Sequence, residues 1–286
     1  MNGDAGRPAF VDLHTHSTAS DGTLPPERVV ESAHRCKLAA IALTDHDSIG
    51  GVGAARAAGE RLGIRVVAGC ELSAFQDDHE VHVLALHLTR LGPLEQRLTE
   101  LRTLRLERAQ KIVEKLNELG IPVTLDEVLR ESNGGALGRP HVARVLIARG
   151  AVQDFKEAFV RYLGASGSAF VPKARLSIED AIDIAHDAGG LAIWAHPADG
   201  GRRERLEPLV NAGLDGIEVR HPSHTLEDAK RLQALADFFG LVVSGGSDWH
   251  GASDGPRKLG TMNVPASWLE KQDERLAAAA SAENGS

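Results

Sequence analysis

Phe10-Val-Asp-Leu-His14-Thr-His16 runs a short apolar stretch into two imidazoles, and Leu241-Val-Val-Ser244 leads in the same way to Asp248-Trp-His250 near the other end of the chain. The arrangement recurs between them. Residues 40–43 lead to Asp45 and His46, 65–68 to Glu71, 191–194 to His196, and 216–219 to His221. One coincidence of a strand-like run with a metal-type ligand carries little weight. Six of them predict strands of one sheet whose C-terminal ends converge on a centre rich in imidazole and carboxylate. That is the layout of a metal hydrolase on a β/α barrel.

The chain has 286 residues, which suits one barrel of about 250 residues with an insertion. Its net charge of −8 disfavours indiscriminate binding along nucleic acid. Stable duplex DNA binding is therefore not expected, and any phosphate affinity must be local. Two cysteines, Cys36 and Cys70, make no disulfide framework and fit a reducing compartment. Cys70 stands just before Glu71, yet a buried inert thiol is its expected role. The first eight residues lack the apolar core of a signal peptide, and no stretch approaches the length and apolarity of a membrane span. The expectation is a cytoplasmic protein with no membrane partner; its oligomeric state is left open.

A seventh strand is expected at 81–86. Pro25 and Pro26 open a helical pattern that continues over 27–35, and an Ala-rich stretch at 52–62 stops at Gly63. Ser177-Ile-Glu-Asp180 caps another helix that ends at Gly189-Gly190. Residues 202–212 and 225–239 add two more, each closed by a glycine. Alternation of strand and helix predicts a parallel sheet. It breaks between Gly92 and about Ser168, where a long helix over 93–119 precedes shorter ones at 125–131, 140–149 and 152–163. The expected organisation is a first barrel segment at 8–92, a helical insertion at 93–168, a second barrel segment at 169–278 and a loose tail at 279–286. An insertion after a barrel strand sits on the catalytic face. On the long helix, Arg105 and Arg108 interrupt the apolar stripe of Leu94, Leu98, Leu101, Ile112, Leu116 and Leu119. Each arginine either pairs with a carboxylate on a neighbouring helix or reaches an anion in the cleft.

His14 and His16 share one side of an extended chain, so both can face one metal. Alone that motif is weak. Asp21 in a Ser-Asp-Gly turn, Thr44-Asp-His46, Glu71, His196-Pro and Asp248-Trp-His250 make a metal site the expected reading. His82 lies near the start of its strand and His87 at the end, with opposite parity. His34, His79, His87 and His186 are expected at the surface or the core edge.

These motifs resemble the PHP (polymerase and histidinol phosphatase) superfamily of metal-dependent phosphoesterases over essentially the whole chain. The residues that carry the resemblance are His14-Thr-His-Ser-Thr-Ala-Ser-Asp-Gly22, Leu43-Thr-Asp-His46, Gly69-Cys-Glu71, His82-Val-Leu-Ala-Leu86, Ala195-His-Pro197 and Gly246-Ser-Asp-Trp-His250. The resemblance implies an α/β fold, a distorted (β/α)7 barrel with the helical insertion. It also implies three divalent ions, manganese first with iron or zinc as alternatives. His14, His16, Glu71 and Asp248 would hold one; Glu71, His82 and His196 a second; Asp21, His46 and His250 a third. Some members have His where this chain has Asp21.

Three divalent ions among three carboxylates leave a centre of roughly +3, which suits a polyanion. Two of the ions can share a hydroxide as nucleophile. Gly138-Arg-Pro-His141, Phe170-Val-Pro-Lys173 and Gly216-Ile-Glu-Val219 with His221-Pro-Ser-His224 resemble the nucleotide-acting branch. Its members remove the 3′-phosphate from 3′,5′-bisphosphorylated nucleosides, and some trim short 5′-phosphorylated RNA. The implied substrate is a small nucleotide bisphosphate or short RNA. Asp248 and His196 are then the ligands central to catalysis. Arg139, His141 and Lys173 are the expected phosphate contacts. His221 is expected either to touch substrate or protonate the leaving group, or to be structural. Histidinol-phosphate phosphatase on the same scaffold is the alternative enzyme, and a non-catalytic metal- and nucleotide-binding module the alternative of another class.

Overall fold

A computed structural model describes residues 9–77, 79–132, 137–172 and 176–283. Strands β1 (Phe10–Asp12), β2 (Ala40–Leu43) and β3 (Arg65–Gln76) alternate with helices α1 (Pro26–Arg35) and α2 (Val52–Leu62), and β4 (His79–Leu86) follows β3 directly. A helical block comes next: α3 (Leu91–Glu118), α4 (Leu125–Ser132), α5 (Arg139–Ala148), α6 (Phe155–Ala158) and a π-turn at Phe159–Leu163. Alternation then resumes with α7 (Ile178–Asp187), β5 (Leu191–Ala195), α8 (Arg203–Asn211), β6 (Gly216–Arg220), α9 (Leu226–Phe239) and β7 (Val242–Gly245). A two-residue strand, β8 (Val264–Pro265), and α10 (Ala266–Glu283) finish the described chain.

The sheet runs β7-β6-β5-β4-β3-β2-β1-β8, and its ends curl together. The Leu13 amide donates to the Gly245 carbonyl at 3.0 Å, and the His16 amide to the Trp249 carbonyl at 2.9 Å. Gly246 makes this closure feasible, because a Cβ there would stand 2.4 Å from the His14 nitrogen. The result is a nearly closed, distorted barrel.

The sheet is not all parallel, as strand–helix alternation had predicted. β4 runs antiparallel to both β3 and β5. β3 continues to Gln76, past its expected end at residue 68, and Gln76 pairs with His79 across a tight turn in which Asp77 takes φ +53°. No helix intervenes, so β4 must return antiparallel. Its first residues therefore lie at the barrel mouth and its last at the opposite end, which resolves the two histidines of this strand. His82 is at the mouth; His87 is at the far end, bonded to Gln272 at 3.0 Å.

Strand parity sorts side chains between two layers. Inward positions such as Val67, Leu84, Leu86, Leu191 and Ile193 fill the barrel, and Leu269 of α10 packs against them. Outward positions such as Cys70, Leu72, Val83, Trp194 and Ile217 pack against α7, α8 and α9. Burying each large apolar side chain contributes about 1.5–3 kcal/mol. The helical block has its own apolar cluster, including Ile112, Leu116, Val142, Leu146 and Leu163. The tail expected to be loose from residue 279 is helical as far as Glu283, since α10 continues through the Ala-rich stretch. Among the described residues no helix is long and apolar enough to cross a membrane.

Candidate metal centre and substrate cavity

Glu71, Ser73, His82 and Glu218 all occupy inward positions near the barrel mouth, where the apolar filling ends. Glu71 lies at the middle of the resulting cluster. Its Oε2 is 3.2 Å from His14 Nε2, 3.2 Å from His16 Nε2 and 3.3 Å from His46 Nδ1. Its Oε1 is 2.6 Å from His82 Nδ1 and 3.0 Å from His196 Nε2. Asp248 Oδ1 lies 3.2 Å from His16 Nε2 and 3.5 Å from His14 Nε2. Asp21 Oδ1 lies 3.1 Å from His250 Nε2. Ligand atoms of His14, His16, Glu71 and Asp248 all lie within 4.8 Å of one another, as do those of His16, Asp21, His46 and His250, and those of His46, Glu71 and His82. The structure thus gathers every residue that the sequence nominates for metal.

These residues fit divalent cations on their own evidence. Both ring nitrogens of His16 and Nδ1 of His46 are buried without a hydrogen-bond partner among the described residues. Buried polar atoms without a hydrogen bond are costly, and a cation shared with Glu71 would satisfy His16 Nε2 and His46 Nδ1. The carboxylates and imidazoles of the cluster also shift one another strongly. Burial disfavours charge on Glu71, yet His46, His82 and His14 hold its carboxyl well below the usual range. Burial likewise opposes a charged His14, but Glu71 and Glu218 outweigh it and raise the ring to about 10. Burial pushes His46 down to about 3 against the pull of Glu71 and Asp21, with His16 and His82 adding smaller downward pushes. The backbone is strained at the same place: Asp47, His196 and Asp248 take φ of +45°, +30° and +50°.

The loops that aim these ligands are tied by buried carboxylates. Asp45 accepts from the Ser17 amide at 2.7 Å and the Ser20 hydroxyl at 2.8 Å, which fixes the turn that carries Asp21. Asp12 accepts from the Ser247 and Gly260 amides, each at 2.9 Å, and so anchors the loop that carries Asp248. Asp248 also accepts from Arg257.

A cavity of ≈ 410 Å³ opens from the cluster toward the insertion. Asp21, His46, His82 and His196 line one part, and Arg105, Arg108 and Arg139 another. Arg105 reaches Asp47, on a loop rather than a neighbouring helix. Arg108 donates from Nε to the Val171 carbonyl at 2.8 Å and has no ion-pair partner among the described residues. Burial, with Arg139 close by, lowers it to about 10, so it stays charged near neutrality. Arg139 donates to the Leu163 carbonyl at 3.2 Å, lies over Phe159 and sits 3.8 Å from Glu80.

Two expected substrate contacts lie elsewhere. His141 is buried outside the cavity wall, and its Nδ1 accepts the Gly138 amide at 3.0 Å. As the third residue of α5 it closes the helix start, a capping role. His221 is also buried away from the cavity wall, with Nδ1 2.7 Å from Ser223 Oγ and Nε2 3.4 Å from Asp248 Oδ2. Its ligand atom lies within 4.8 Å of those of His14 and Glu218, so it adjoins the cluster and not the cavity. Lys173 lies outside the described residues. His34 and His79 are exposed, and His186 pairs with Asp215 at 2.7 Å. Glu218 escaped the sequence reading. It looks like the polar residue of an alternating strand, whereas its parity points it inward.

A barrel with this cluster at its mouth belongs to the class of divalent-metal hydrolases. The PHP domain model matches residues 12–171. The chain is 39% identical over 266 residues to the 3′,5′-nucleoside bisphosphate phosphatase of Chromobacterium violaceum, covering 90% of this chain and 93% of that protein. It is 34% identical over 255 residues to the 5′-3′ exoribonuclease Rnm of Escherichia coli, covering 86% and 87%. The solved structure of a Bifidobacterium adolescentis protein assigned as a metal-dependent phosphoesterase matches with a TM-score of 0.84 and 32% identity, covering 93% of this chain and 96% of that one. The chain belongs to the PHP family of phosphoesterases; it is a hydrolase of phosphoric esters that uses divalent metal.

Proposed function

We propose that this enzyme removes the 3′-phosphate from nucleoside 3′,5′-bisphosphates and trims short 5′-phosphorylated RNA from its 5′ end. The observation that carries the proposal is the shared cavity: metal-type ligands line one part, and arginines of the insertion line another. A substrate with two phosphates spans such a pair of sites. The Chromobacterium and Escherichia relatives support the same substrate class.

In this reading the centre takes three divalent ions, manganese first with iron or zinc as alternatives. His14, His16, Glu71 and Asp248 hold the first, Glu71, His82 and His196 the second, and Asp21, His46 and His250 the third. Such ions, when bound, supply Lewis acidity and an activated water. The protein contributes position and charge. Arg139 and Arg108 hold the second phosphate and so seat the scissile one over the ligand cluster. His221 braces Asp248 from behind. In the reaction, water adds to phosphorus, the P–O3′ bond breaks and the 3′-oxygen leaves with a proton.

The test is phosphate release by manganese-loaded protein from adenosine 3′,5′-bisphosphate, run beside AMP and histidinol phosphate. Rapid release from the bisphosphate with AMP accumulating is the expected result. Release from histidinol phosphate alone would overturn the substrate assignment and keep the phosphoesterase.

A further inference from the structure

We propose that Glu218 is a positioning residue that holds two metal-ligand side chains, His14 and His196, in place together. The inference rests on the ligand assignment above. Glu218 sits on β6, faces the barrel interior and is fully buried. A buried carboxylate is expensive unless its oxygens are matched. Both are matched here, by two residues from different strand ends. Oε1 lies 3.2 Å from His14 Nδ1, and Oε2 accepts the His196 amide at 2.7 Å.

Each contact has a consequence at the cluster. With Nδ1–H donated to Glu218, His14 presents Nε2 toward Glu71 and Asp248, which lie 3.2 and 3.5 Å away. A carboxylate behind an imidazole fixes both its tautomer and its ring plane. The second contact acts on backbone. His196 has φ +30°, a conformation uncommon in residues other than glycine. The bond from its amide to Glu218 holds that turn, which brings Nε2 to 3.0 Å from Glu71 Oε1. β6 itself departs from regular register between Glu218 and Arg220, where its pairing to β7 shifts. One carboxylate therefore sets two ligands that belong to different proposed ions, and its loss will weaken both together.

The test compares manganese binding by wild type, Glu218→Gln and Glu218→Asp, using titration calorimetry with equilibrium dialysis for stoichiometry. Gln keeps the shape but removes the charge; Asp keeps the charge but shortens the reach. The expected result is a loss of about 10–100-fold in affinity at two sites in parallel for Gln. Binding unchanged in Gln, or weakened at one site only, overturns the proposal. A second measurement needs no variant: in zinc-loaded, 15N-histidine-labelled wild type, His14 should show a protonated Nδ1 and a metal-bound Nε2. The reverse pattern also overturns it. Wild type that takes up no manganese or zinc would sink the ligand assignment itself, a distinct failure.

Discussion

Arg105, on the long insertion helix, donates from Nε to Asp47 Oδ2 at 2.7 Å, and Asp47 is the residue after His46. The other guanidinium nitrogens reach the Ser73 hydroxyl at 3.2 Å and the Leu137 carbonyl at 3.1 Å, while Asp47 Oδ1 accepts the Ser73 amide at 3.0 Å. The pair is nearly dry, with side chains 10% and 2% exposed. It ties the insertion to the barrel loop that carries a metal-type ligand.

Removing one partner of such a pair leaves the other charge buried. Arg105→Met is expected to lower unfolding free energy by about 3–5 kcal/mol, and the double change with Asp47→Asn by less than the sum of the singles. Denaturant unfolding in a double-mutant cycle checks this. Additive losses would mean that the pair does not couple the two parts.

His186 and Asp215 predict a pH effect far from the cluster. The Asp215 hydrogen bond raises the His186 pKa above 6.5, against a smaller opposing effect of burial. A raised folded-state pKa contributes stability in full below the unfolded value and loses it as pH climbs through the folded one. His186→Gln should therefore lower Tm more at pH 5.5 than at pH 9. The side chain is 40% exposed, so screening limits the difference to about 1 kcal/mol or less. An equal penalty at both pH values would assign the loss to packing.

Much of this was legible in the sequence because metal ligation leaves paired signatures. A strand-like run followed by His, Asp or Glu pointed to seven of the nine ligands, the Ser-Asp-Gly turn added Asp21 and the family resemblance His82, and all converge on Glu71 and Asp248 or their neighbours. The β4 direction was hidden for a physical reason. The expected strand bounds, ending at residue 68 and starting again at 81, left a gap long enough for a crossover, whereas the strands run on to Gln76 and resume at His79 and so must turn straight back. His141 misled because a ring that caps a helix and a ring that meets a phosphate share the same local sequence. Glu218 needed strand parity, which depends on where the neighbouring strands pair.

Chelation tests whether the cluster is completed by cations. Glu71, Asp21 and Asp248 converge there with buried imidazole nitrogens that form no hydrogen bond, so ions that bind only the folded state must stabilise it. Manganese at a hundred times its Kd should add about 2.7 kcal/mol per independent site, and EDTA should remove it. Thermal unfolding with and without metal measures the shift. No change in Tm would argue against tight, native-state-specific sites. Asp248→Asn and His196→Ala should each abolish nearly all turnover.

The clamp assignment depends on Arg139 and Arg108, and the two are expected to differ. Arg139 already has partners: the Leu163 carbonyl, the face of Phe159 and the nearby Glu80. Arg108 spends Nε on the Val171 carbonyl and has no carboxylate at ion-pair distance among the described residues. Hydrogen bonds to charged groups contribute about 1.5–3 kcal/mol, or roughly 10–150-fold in binding. Either change to Ala should lower the ratio of kcat/KM for adenosine 3′,5′-bisphosphate to that for adenosine 3′-monophosphate by about tenfold or more. Arg139→Ala should lower Tm as well, because its present contacts brace α5 against the π-turn; Arg108→Ala should affect Tm less. An unchanged ratio with a lowered Tm would make Arg139 a brace alone. If Arg108→Ala also kept the ratio, the second phosphate would have to bind on another wall of the cavity.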